Sequence, residues 1–240
     1  MRTSRLVVAL GLFSCHAAVP EPSPAPRNDD APLVIAMQAA QRRMHERYAS
    51  TRAVIDGVVR SDLPAVRAAA EVVSTLDEPD ALPRWQPYLA AVQAAARDID
   101  QAGDLRAAAN GTGRLATRCA SCHVATHARL ALGDPPASDD GASLAHQMRG
   151  HHRAAQQLWQ GLIGPADERW AAGAQALSAM PFDIVAARDG AEFVGDIDDS
   201  ARIRMFGRRA LAARTNDERA AVFGDLLVTC AHCHAALRDR

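Results

Sequence analysis

The pattern Cys-x-x-Cys-His occurs twice in this chain, as Cys119-Ala-Ser-Cys122-His123 and as Cys230-Ala-His-Cys233-His234. Two thiols at this spacing, with an imidazole directly after the second, are the groups that attach a c-type haem. The thiols add across the porphyrin vinyl groups and the histidine becomes the proximal ligand of the iron. Cysteine is scarce, five in 240 residues, so four of them falling into one repeated pattern argues against chance. Zinc is the first competing chemistry, but zinc ribbons separate their cysteine pairs by about 15–20 residues. Here the motifs lie 111 positions apart. A thioredoxin-like dithiol needs a βαβ setting, and no neighbouring stretch alternates as a strand does. The expected cofactors are therefore two covalently attached haem c groups. Cys119, Cys122, Cys230 and Cys233 would carry the thioether bonds, with His123 and His234 on the irons.

The elements that must hold these groups read as helices. Alanine dominates, aromatic residues are only 4%, and glycine and proline gather at a few junctions, so average propensity favours helix. A haem would supply apolar volume that so few large side chains cannot. From Leu33, apolar residues recur at helical spacing through Met37, Met44, Tyr48, Ile55 and Val58, predicting a first helix that ends near Arg60. Asp62-Leu-Pro64 reads as a cap and an N1 proline opening a second helix through Leu76. A third is expected over Arg84 to Gln101. A fourth starts at Gly103-Asp104 and carries the first haem motif near its end.

The plan then repeats. Met44 through Val59 matches Met148 through Ile163 at an offset of 104, pairing Val54-Ile-Asp-Gly57 with Leu158-Trp-Gln-Gly161. Around the haem motifs the offset is 111, and Gly113 falls on Gly224. Seven extra residues are thus expected within Pro181 to Asp196. Thr215-Asn-Asp-Glu218 has the form of a capping box for the last helix. The expected fold class is all-α, two tandem four-helix bundles over 33–133 and 142–240, joined by a Gly/Pro-rich linker at 134–141.

Only Ala235 to Arg240 follow the second motif, so a sixth iron ligand must come from earlier sequence. In an up-down-up-down bundle the first helix begins where the fourth ends, and both repeats place a methionine there, Met44 and Met148. Taken together, the chain resembles a tandem of cytochrome c′/c556-type (class II) haem-binding bundles. That resemblance implies either a methionine on the distal side of the iron or an open distal position beside an apolar residue. Met44 and Met148 are the leading candidates; Met37, His45 and His151 are the alternatives, and a methionine on an apolar helix face also serves as core filler.

The N-terminus reads as an export signal over 1–15, with Arg2 and Arg5 before an apolar run too short to span a bilayer. Leu12-Phe-Ser-Cys15 resembles a lipobox, which makes Cys15 the lipidation candidate; cleavage near Ala17-Ala18 is the alternative. A proline-rich tether over 16–32 follows. Either route places the chain outside the cytoplasm, periplasmic or lipid-anchored to the envelope membrane facing the periplasm. With 27 basic residues, all arginine, against 28 acidic ones, no field strong enough to gather nucleic acid is expected, and lysine chemistry is excluded. The expected function is one-electron transfer between redox protein partners, not enzymatic catalysis. A membrane contact is expected only through the lipid, and a homodimer is a further expectation. A gas-binding haem with an open distal site is the alternative, and a dihaem peroxidase using His151 or His152 the weakest.

Overall fold

The computed structural model describes residues 31–79, 81–128, 130–133, 144–179 and 197–238. The export segment with Cys15, the tether up to residue 30, the linker and the expected insertion lie outside the described residues. Among those described, the chain forms eight α-helices and no strand. They are α1 (Ala31–Val59), α2 (Leu63–Thr75), α3 (Gln86–Asp100), α4 (Leu105–Ala125), α5 (Leu144–Ile163), α6 (Asp167–Ala179), α7 (Ile197–Ala212) and α8 (Asn216–Arg238). None is long and apolar enough to cross a membrane.

Local chemistry explains the boundaries. The carboxylate of Asp62 caps α2 by accepting from the Ala65 N–H at 3.0 Å, and Asp104 caps α4 from Ala107 at 2.7 Å. Pro64 is the second residue of its helix, one later than the spacing suggested, and still inside the first turn, where no N–H is needed. The expected third helix begins instead as a 3₁₀ turn, Pro83–Trp85, which hands over to α3 at Gln86. At the other end α1 starts at Ala31, so the last two residues of the expected tether are helical.

Helices adjacent in sequence pack against one another from α1 to α4 and again from α5 to α8, and the broadest contact between the halves is α4 on α8. Further contacts cross over, α1 to α8 and α4 to α5. Val54, Val58, Ile99 and Leu115 share one continuous buried cluster with Leu158, Leu162, Phe223 and Leu226. The helix ends preserve both sequence registers. α2 and α6 begin and end 104 residues apart, whereas α3 and α7, like α4 and α8, begin 111 apart. The seven extra residues therefore enter between Ala179 and Ile197.

The crossing of α4 on α8 is reciprocal. A β-carbon at Gly113 would land on the Ala220 carbonyl, and one at Gly224 would sit 3.0 Å from the Asn110 Cα and 3.2 Å from the Ala109 carbonyl oxygen. In the 111 register Ala109 and Ala220 are equivalent, so each glycine meets the counterpart of the residue the other meets. That is the signature of an approximate two-fold axis.

Candidate cofactor-attachment sites

The first motif occupies the last two turns of α4, where Cys119 and Cys122 are one turn apart and partly buried. Burial pushes the Cys119 thiol up to about 12, with the Arg47 guanidinium opposing the shift. Burial also raises Cys122, opposed by Arg47 and reinforced by Glu78. Both sulfurs are thus protonated thiols near neutral pH. Burial lowers His123, Arg47 adds to the lowering, and a hydrogen bond to a carbonyl pulls the other way. That bond joins His123 Nδ1 to the Ile163 oxygen at 2.7 Å. A carbonyl only accepts, so Nδ1 carries the proton and Nε2 keeps its lone pair. An imidazole held by an outer hydrogen bond with its far nitrogen ready to coordinate is the usual state of a metal-binding histidine.

Arg47, on α1, was not singled out by the sequence. It is buried beside this motif and paired with Glu78, Nη1 to Oε1 at 2.7 Å. Met44 is half-buried one turn before it, whereas Met37 is 57% exposed and His45 is also exposed.

The second motif lies on α8 at the wall of a cavity of about 140 Å³. Met148 and His151 of α5 line the same cavity as Cys230, Cys233 and His234, so the structure brings these expected residues together. Burial, with a further contribution from His234, takes His151 down to about 4 and leaves its ring neutral at pH 7. Trp159 and Phe223 form an aromatic wall, ring centroids 5.6 Å apart, and the Trp159 Nε1–H is buried with no acceptor. Arg52, Ile55, Asp56 and Val59 of α1 also line it. Each motif thus draws on the opposite half, the first through the Ile163 carbonyl and the second through α1.

The residues fit a covalently held haem. Each motif offers two thiols a turn apart and one imidazole, and the second adds an apolar wall with an orphan donor. The cavity is smaller than the ~300 Å³ lower bound of ordinary cofactor pockets, so a haem there would displace lining side chains or keep an edge in solvent. Among the described residues no three His, Cys, Asp or Glu side chains gather as a bare metal ion would require. In comparisons with known proteins, no family model, no curated protein and no solved structure matches this chain.

Proposed function

We propose that the protein is a dihaem c-type cytochrome that passes single electrons between redox proteins of the cell envelope, built as two tandem four-helix units with a haem at the end of each fourth helix. The observation that carries this reading is His123 Nδ1–H donating to the Ile163 carbonyl at 2.7 Å, directly after two thiols at attachment spacing. A bound haem supplies a one-electron iron couple. The chain's own residues do the rest. Cys119 and Cys122 would hold the first group and Cys230 and Cys233 the second, with His123 and His234 as the imidazole donors to the irons. Met148, which lines the cavity with His151, would be the thioether donor to the second iron, and Met44 its counterpart for the first. A thioether favours ferrous iron and raises the potential. The 1–15 segment directs export and Cys15 carries the lipid.

The test is to express the chain in a host competent in cytochrome maturation and record mass, pyridine haemochrome and near-infrared spectra, with and without carbon monoxide. Two covalent haems per chain and low-spin spectra indifferent to the gas are expected. Met148→Ala should abolish the methionine–iron charge-transfer band of one haem and open it to carbon monoxide. A colourless mature protein sinks the reading; carbon monoxide binding to the wild type transfers support to gas sensing.

A further inference from the structure

Arg47 has more hydrogen-bonding capacity than its surroundings use. Its side chain is 4% exposed, and Nη1 is engaged by Glu78 Oε1 at 2.7 Å. Nε and Nη2 are both buried and have no acceptor. These two atoms form one edge of the guanidinium, a pair of parallel N–H donors that matches two oxygens of an anion. A buried charged group with unmade hydrogen bonds is among the costlier features a fold retains, so a complete vacant edge points to a ligand.

Two observations place this edge at the first attachment motif. Arg47 is buried on α1, which packs against α4, the helix that carries the motif. Its counterpart in the 104 register is His151, which lines a cavity with Cys230, Cys233 and His234. The same helical position therefore faces a Cys-x-x-Cys-His motif in both halves, with an arginine in one and a histidine in the other.

We propose that the Nε–Nη2 edge of Arg47, with Glu78 holding Nη1, is a receptor for a two-oxygen anion at the first attachment motif, and that the second motif does not repeat it because His151 takes the corresponding position. The inference rests on the haem reading of the motifs. The anion has two sources of the same chemistry, a propionate carboxylate of the haem itself or a diffusible ion such as formate or nitrite. In either case the two haems are inequivalent.

The experiment uses the haem-loaded full chain. Arg47→Lys keeps the charge and loses the fork. The double variant Arg47→Met/Glu78→Leu removes both charges, leaving no lone ion in the interior. Resonance Raman spectra of the propionate bending modes and redox titrations from about pH 5 to 9 are recorded with and without added formate or nitrite. For a propionate, both variants perturb that mode at one haem, and the potential of that haem acquires a pH dependence the wild type lacks. For a diffusible ion, the wild type shows a saturable shift at one haem that weakens about tenfold or more in both variants. Either result supports the receptor. If both variants leave both haems like the wild type in Raman spectrum, potential and anion response, the proposal is overturned while the cytochrome reading stands. A wild type without covalent haem, seen in its pyridine haemochrome before any variant is made, sinks both.

Discussion

A histidine that follows two cysteines has two ring nitrogens, and only one can meet an iron. At His123 the Nδ1–H donates to the Ile163 carbonyl, which leaves Nε2 as the nitrogen with a free lone pair. The thiols are prepared differently, since burial holds Cys119 and Cys122 protonated. Cys119→Ala removes one of the two bonds proposed for the first haem. The expected product keeps two haems per chain, but one regains a vinyl group, so its pyridine-haemochrome band moves to longer wavelength and the other stays put. Two unshifted bands would show that Cys119 carries no thioether. The motif was legible because a spacing of three is almost one helical turn. Arg47 was not, because its partner Glu78 is 31 residues away and reaches it only through the packing of the first half. The sole trace in the sequence is that Arg47 lies 104 positions before His151.

Helix boundaries are matters of local hydrogen bonding, which is why most of them could be read in advance. Thr215 and Glu218 form the expected reciprocal box at the head of α8, with Glu218 N–H donating to Thr215 Oγ1 at 3.2 Å and Thr215 N–H donating to Glu218 Oε2 at 3.0 Å. The Thr215 and Arg214 N–H groups, both donating to Oε2, hold the Glu218 carboxyl below its usual range. A depressed acid stabilises the fold fully above its unfolded pKa and loses that contribution as pH falls through the folded value. Glu218→Ala should therefore lower the thermal midpoint at pH 7, and the gap between variant and wild type should close on acidification below about pH 4. A gap independent of pH would mean the carboxylate does not cap. The corner between α1 and α2 was less visible. Ser61 adopts a left-handed conformation there, φ 57°, and its hydroxyl donates to the Ala231 carbonyl at 2.9 Å, between Cys230 and Cys233. Glycine is the residue such a position favours; a serine is retained where its side chain makes a bond glycine cannot.

Over the whole molecule, the reciprocal contacts of Gly113 and Gly224 let the backbones of α4 and α8 approach closely, and this crossing sets how the halves share their sites. Gly113→Ala forces a methyl group against the Ala220 carbonyl. It should cost about 1–3 kcal/mol, read as a lower urea midpoint, and should disturb both motifs because each borrows from the other half. A full-stability variant would show that the close crossing is dispensable.

The residue order alone determined the motif on which the proposed attachment rests, the caps of α2, α4 and α8 and the double register of 104 and 111, since all of these depend on neighbours within a turn or on comparison of one stretch with another. The fold decided that His123 meets a carbonyl of α5, that α1 helps wall the second cavity and that Arg47 is buried against Glu78 with one edge unpaired. Those contacts depend on how two halves with small-residue faces settle against each other, and close packing of side chains from distant segments has no counterpart in local spacing.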